Sequence, residues 1–265
     1  MKIVISNDDG IHATGINTLN MELSLGHEVV MVAPDRERSS CGHGLTLGDP
    51  IRVKELEANK FSCSGLPADC ILVGLGQICK DDLPDLIISG INHGANLGQD
   101  RYYSGTIAAA REAAFRRCPS IAVSLVTSHW DQKEDQTKYF DVAAKYISVL
   151  VRNNIHKIIP KMSLININIP NLPMEQISGT EITFSGFQLY SEEVLERKDI
   201  KGESYFWIGG SYKGPQDIKG SDGNAILENK ISVELQDLAG TLTQNERDEF
   251  RHNFLELIKT KNEKT

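Results

Sequence analysis

The sequence contains no Walker phosphate loop, no Gly-x-Gly-x-x-Gly fingerprint, no Gly-x-Ser-x-Gly elbow and no His-Glu-x-x-His pair. Nucleoside-triphosphate and hydride chemistry lose support from these absences. Positive charge is also in short supply: 28 Lys and Arg against 36 Asp and Glu leave a formal net charge of −8. The basic footprint of a dedicated nucleic-acid binder is therefore missing, and no nucleic acid polymer is expected as a partner. An anionic chain holds an anionic ligand only where a metal ion, backbone N–H groups or a small basic cluster reverses the field locally. No run of about 20 apolar residues occurs, so no membrane span is expected. Cysteine is sparse, at 41, 63, 70, 79 and 118, an odd count with neither a Cys-x-x-Cys pair nor zinc-like spacing to His. Reduced thiols are the simplest reading. The chain begins Met-Lys and runs into an apolar stretch at 3–5 without a signal-type segment, which leads us to expect a cytoplasmic protein.

What is present is ordinary globular material, 40% hydrophobic and 24% charged, enough for one α/β domain with an appendage. A β-branched run at 2–6 breaks at Asn7-Asp8-Asp9-Gly10, as a buried strand entering a loop does. Residues 16–25 predict a helix with Gly26 as its C-cap, and 28–33 predict a second strand stopped by Pro34. The same strand-loop-helix grammar recurs at 85–89, 90–105 and 106–115, followed by a strand at 120–125, a helix at 138–152 and a strand at 164–169. Residues 1–170 thus predict a doubly wound α/β core with a parallel sheet. Beyond Pro170, strand-like pieces at 181–184, 205–208 and 231–235 predict hairpins outside the main sheet. Thr243 and Glu246 have capping-box spacing ahead of a closing helix at 243–259.

Ligands of open parallel sheets bind beyond the carboxyl ends of the strands, which singles out the loops at 7–10, 35–46 and 90–106. In the first, Asp8 and Asp9 repel one another unless a cation intervenes. Their hard oxygens favour magnesium, manganese or calcium over zinc. The plain alternative is a capped Asp-Gly turn. The second loop combines Arg36 and Arg38 with Ser39 and Ser40, suiting phosphate contact, a neutral oxygen ligand or simply a solvated charge run. In the third, Ser104, Gly105 and Thr106 stand at a predicted helix start, either an anion site or an N-cap. His12, His27, His129, His156 and His252 are scattered, whereas His43 and His93 lie in the candidate loops.

Read together, Ser6-Asn7-Asp8-Asp9-Gly10-Ile11, the segment from Val32 through Ser39, and the segment from Ser89 through Gly98 resemble the SurE nucleotidase family, survival protein E. Gly65-Leu66-Pro67-Ala68-Asp69-Cys70, Tyr103-Ser104-Gly105-Thr106 and the stretch Leu164 through Pro170 are similar to further segments of that family, in order. The resemblance implies a Rossmann-like three-layer α/β/α core at 1–170. It also implies that a C-terminal extension at 171–265, with hairpins and a terminal helix, serves a homodimer or homotetramer. One magnesium or manganese ion per subunit, held by Asp8, Asp9, Ser39 and Asn92, and cytoplasmic hydrolysis of nucleoside 5′- and 3′-monophosphates by a metal-activated water follow from the same resemblance. Asp8 and Asp9 are then the catalytic centre, with Asn96, Ser104, Gly105 and Thr106 as expected phosphate contacts. Two other readings remain: an aspartyl-phosphate phosphatase, whose usual Asp-x-Asp spacing is absent, and a nucleotide-binding regulatory protein without turnover.

Overall fold

The computed structural model describes residues 1–127, 137–191 and 193–259, so His129 lies outside the described residues. The chain opens with β1 (Lys2–Ser6), α1 (Thr14–Leu23) and β2 (Glu28–Pro34), then β3 (Val53–Glu57), β4 (Lys60–Cys63) and α2 (Pro67–Val73). It continues with β5 (Leu86–His93), α3 (Gly105–Phe115), β6 (Ser120–Val126), α4 (Phe140–Arg152) and β7 (Ser163–Pro170). The last part holds β8 (Thr180–Thr183), β9 (Gln188–Tyr190), β10 (Glu193–Lys198), β11 (Ser204–Gly209), β12 (Tyr212–Pro215), α5 (Asp222–Leu227), β13 (Ile231–Asp237) and α6 (Gln244–Lys259).

The main sheet has the order β3-β4-β2-β1-β5-β6-β7-β13-β8. Its central strands, from β4 through β7, pair in parallel. The chain moves outward from β1 to β2 and β4, then returns to build β5, β6 and β7 on the other side. The switch point therefore lies between β1 and β5, where a crevice opens at the strands' carboxyl ends.

Alternation along the buried strands decides which layer each side chain joins. Ile3 and Ile5 pack with Ile16 and Leu19 of α1, Ile147 of α4 and Phe254 of α6. Val4, between them, faces the other way and packs with Val30, Val32, Ile71 of α2 and Ala109 of α3. A sheet between two helical layers is the outcome, the α/β/α core that the sequence predicts.

Two expectations need correction. Residues 181–184 and 231–235 do not lie outside the main sheet: β13 pairs antiparallel with β7, and β8 pairs parallel with β13. The free edge of β7 and the buried Ile231 and Val233, which join the main core, account for this. Residues 205–208 do form a hairpin apart from the sheet, where β11 pairs with β10. Nor is Gly26 the cap of α1. The helix ends at Leu23 with Ser24 as its cap, whose N–H bonds to the carbonyl of Asn20, and Gly26 continues the turn with its own N–H on the Leu23 carbonyl.

The closing helix is built as its sequence dictates. Thr243 and Glu246 exchange hydrogen bonds, 2.8 Å from the Thr243 amide to Glu246 and 3.3 Å from the Glu246 amide to Thr243 Oγ1, closing the capping box. Phe254 is 0% exposed. Phe254→Ala is expected to lower stability by about 3–5 kcal/mol, measured by urea unfolding. A loss under about 1 kcal/mol, the range of a surface change, would mean that α6 does not seal the core.

Candidate active site at the switch point

Three loops meet at the carboxyl ends of β1, β2 and β5, and backbone hydrogen bonds lock them together. The Asn7 carboxamide closes the first turn on itself, donating to the Gly10 carbonyl at 3.0 Å and accepting from the Gly10 N–H at 3.2 Å. Gly10 has φ +100°, and a Cβ there would sit 3.1 Å from the Arg36 backbone, so the first and second loops approach as closely as glycine allows. The Arg38 N–H donates to the Asp8 carbonyl at 2.7 Å, and the Gly42 N–H donates to the Tyr103 carbonyl at 2.8 Å. The His93 N–H donates to Asp9 Oδ2 at 3.0 Å, tying the first loop to the third.

Within this frame Asp8 is only 4% exposed. Its carboxylate faces the start of α3, where the Thr106 hydroxyl donates to Oδ1. Burial pushes the Asp8 carboxyl up, opposed by the Thr106 hydroxyl and the backbone amides of Thr106 and Gly105. A helix N-terminus is a favourable seat for an anion. Gly105 makes the approach sterically feasible, since a Cβ there would lie 2.7 Å from Asp8 Cβ and 2.9 Å from Cys41 Sγ. Asp9 is pushed up to about 6, first by burial and then by the charges of Asp8 and Glu37, with the His93 amide pulling the other way.

Each expected ligand can be placed. Asn92 follows a register shift in β5, and its Nδ2 donates to the Gly94 carbonyl at 2.9 Å, which fixes the carboxamide. Ser39 is exposed beside Arg38, and its hydroxyl donates to Glu37 at 2.7 Å. Among the described residues no group of three or more His, Cys, Asp and Glu gathers for a metal. A cation between Asp8 and Asp9 therefore needs hydroxyl or carboxamide oxygens to complete its shell, and Ser39 and Asn92 are of that chemical type. Two mutually repelling carboxylates with neutral oxygen donors nearby fit a hard divalent ion.

The expected phosphate contacts have other partners here. Ser104 caps α3, its Oγ accepting from the Ile107 N–H at 3.1 Å, which is the N-cap alternative. The Asn96 carboxamide donates to Ser124 Oγ at 2.8 Å. Its backbone is held by two residues of the stretch Leu164 through Pro170 that had no expected site role: Asn168 accepts from the Asn96 N–H at 2.8 Å, and Asn166 donates to the Asn96 carbonyl at 2.9 Å. Two Asn at alternate positions of an apolar strand share one face, and that was the available signal. His43 also has a defined place, with Nε2 3.1 Å from Glu112 and its ring stacked on Phe115. It docks the second loop on α3. His93 contributes through its backbone, while its ring meets the edge of Phe140.

Residues 3–192 match the family model described as "Survival protein SurE". The chain is 42% identical over 233 residues to the protein named 5′-nucleotidase SurE of Vibrio parahaemolyticus, covering 88% of this chain and 87% of that one. It is 40% identical to the Geobacter sulfurreducens protein of the same name, covering 88% of this chain and 86% of that one. The crystal structure of the SurE protein from Aquifex aeolicus superposes with a TM-score of 0.79 at 34% identity, covering 97% of this chain and all of the other.

Gly105→Ala is expected to displace Asp8 and lower the melting temperature, although alanine favours helices elsewhere by about 1 kcal/mol. An unchanged or raised melting temperature would show that the contact yields freely. A second expectation concerns pH. Asp9 titrates near 6 in the native state, against about 4 in an unfolded chain. Between those values the native state keeps a proton that the unfolded chain has lost, so Asp9 destabilises the metal-free protein progressively as pH rises through that window. In EDTA, Asp9→Asn should therefore gain melting temperature over wild type as pH goes from 4 to 7. A difference independent of pH would show that Asp9 titrates normally.

Proposed function

Because this chain belongs to the SurE family, we propose that it is a 5′-nucleotidase, a divalent-metal-dependent phosphomonoesterase that hydrolyses nucleoside 5′- and 3′-monophosphates to nucleoside and phosphate. The observation that carries the reading is the pair Asp8 and Asp9, crowded beside the N-terminus of α3 at the switch point of the sheet. Relatives named 5′-nucleotidase SurE at 40% and 42% identity support the reaction class.

On this proposal Asp8, Asp9, Ser39 and Asn92 hold one magnesium or manganese ion per chain. When bound, such an ion withdraws charge from the phosphoryl group and lowers the pKa of water for attack at phosphorus. The Thr106 hydroxyl keeps the Asp8 carboxylate oriented. On the same proposal Ser104, the Asn96 segment and the start of α3, whose Gly105 and Thr106 amides already face Asp8, border the phosphoryl oxygens that carry negative charge in the transition state. Glycine at 105 lets the Asp8 carboxylate approach this helix start closely.

A homodimer or homotetramer is proposed as the working form. The β10–β11 hairpin supports it, with Phe206 and Trp207 each 60% exposed and Ile208 90% exposed, more apolar surface than an isolated hairpin tolerates well. No helix among the described residues is long and apolar enough to cross a membrane. All five cysteines are free thiols, which supports the cytoplasm as the compartment.

The test is phosphate release from nucleoside 5′- and 3′-monophosphates in EDTA, magnesium or manganese. Metal-restored release is expected in wild type, falling more than about a hundredfold in Asp8→Asn and about 10–100-fold in Thr106→Val. Nucleotide binding without release in either metal would replace the enzyme by a regulatory binding protein. Full activity of Asp8→Asn would remove the metal assignment.

A further inference from the structure

The third loop takes its shape from outside itself. After Leu97 it winds into a short 3₁₀ turn (Gly98–Tyr102), whose hydrogen bonds are poorer than those of an α-helix. Four consecutive residues of that turn are gripped by the late part of the chain. The Gly98 N–H donates to Asp222 Oδ2 at 2.7 Å. The Gln99 carboxamide pairs with the Gln188 backbone as a strand would, donating to its carbonyl at 2.6 Å and accepting from its N–H at 2.7 Å. The Tyr190 hydroxyl donates to Asp100, and Arg101 pairs with Glu234 at 2.5 Å. The gripped segment joins Asn96 to Ser104, two of the groups assigned above to border the phosphoryl oxygens.

Asp222 is the centre of this grip. It is 0% exposed and forms no ion pair with another described residue, so its charge is met by backbone amides. Its two oxygens divide the work. Oδ1 accepts from the N–H groups of Gly186 and Gly223, within the late chain, while Oδ2 accepts from Gly98 in the active-site loop, all at 2.7 Å. Bonds from amides to a carboxylate are about twice as strong as neutral ones, and burial makes the loss of any of them unfavourable. The backbones so joined are in close approach, since a Cβ at Gly98 would lie 3.1 Å from the Gly186 carbonyl oxygen.

We propose that Asp222 is a positioning residue for phosphoryl transfer: by holding the Gly98 N–H it sets the shape of residues 96–104, and with it the place of the phosphoryl group relative to Asp8 and Asp9. The phosphoryl group in this statement rests on the nucleotidase reading, whereas the hold on the loop rests on the hydrogen bonds alone. Asp222 acts through the Gly98 amide. A shift of about 1 Å in a group that positions substrate is enough to cost about a hundredfold in rate. The metal should be spared. Asp8, Asp9 and Ser39 stand on other loops, and the Asn92 carboxamide is fixed separately on the Gly94 carbonyl.

Asp222→Asn tests this, because it keeps the shape and one accepting oxygen. Its NH₂ group then meets either Gly98 or the Gly186 and Gly223 pair donor against donor. For the full chain in magnesium, kcat, KM and the half-saturating magnesium concentration are measured with a nucleoside 5′-monophosphate, and binding of inorganic phosphate by equilibrium dialysis. In Asp222→Asn, kcat is expected to fall about tenfold or more, beyond any rise in KM, with weaker phosphate binding and an unchanged magnesium requirement. Gln99→Ala should act in the same direction more mildly, and it decides by the same criteria if Asp222→Asn does not fold. Phe254→Ala, in the layer opposite α3, shows what lost stability alone does, and its kcat per folded molecule is expected to stay at the wild-type value. Wild-type kcat in the variant, a fall no larger than in Phe254→Ala, or a magnesium requirement that rises in step with the lost rate overturns the proposal and leaves the nucleotidase reading intact. If wild type releases no phosphate from any nucleotide but binds phosphate more tightly than the variant, the hold on the loop stands and the nucleotidase reading falls. Neither release nor binding by wild type removes both.

Discussion

Where Asp8 places its charge governs the rest of this end of the molecule. A buried carboxylate is tolerated only with compensation, and here the first compensation comes from α3, through the Thr106 hydroxyl and the amides at the helix start. That seat needs a glycine at 105 and sets how closely the second loop can approach, since Cys41 lies on the same spot. Asp9 follows Asp8 directly and inherits the unrelieved repulsion. The cation we propose completes a balance that the helix leaves partial.

The third loop is held by polar groups that would be unfavourable in the core if any lacked a partner. Asn96 is tied on both its backbone groups and its carboxamide, to Asn166, Asn168 and Ser124 on neighbouring strands. The later part of the chain joins the same loop. Asp222, fully buried, accepts from the N–H of Gly98 and of Gly186 at 2.7 Å each, and Arg101 pairs with Glu234 of β13 at 2.5 Å. Residues far along the sequence thus fix the shape of a loop beside the carboxylates.

Much of this was legible in the sequence because burial leaves a pattern. Continuous apolar runs ending at Asn7, Pro34 and Gly90 identified the central parallel strands and hence the loops that carry the site. The α3 start was legible from Ser104 and Thr106, although which anion it receives in this structure, Asp8, was not. Strands β3 and β4 were missed because β3 is the exposed edge of the sheet, where Lys54, Glu55 and Glu57 interrupt any apolar run, and β4 is only four residues long. The place of β13 was misread for a different reason. Alternating Ile231, Ser232, Val233 and Glu234 suits a hairpin as well as a sheet strand, and only the open edge of β7, a long-range fact, decides between them.

The insertion of β13 between β7 and β8 also sets an order of assembly during synthesis. Residues 180–183 of β8 emerge from the ribosome well before residues 231–237 of β13, yet β8 has no partner in the main sheet until β13 has docked. For that interval β7 presents an unpaired edge carrying Asn166 and Asn168, and an exposed edge can recruit a neighbouring nascent chain. The two asparagines that later clamp the third loop are thus also polar interruptions on an edge that stays open until β13 arrives.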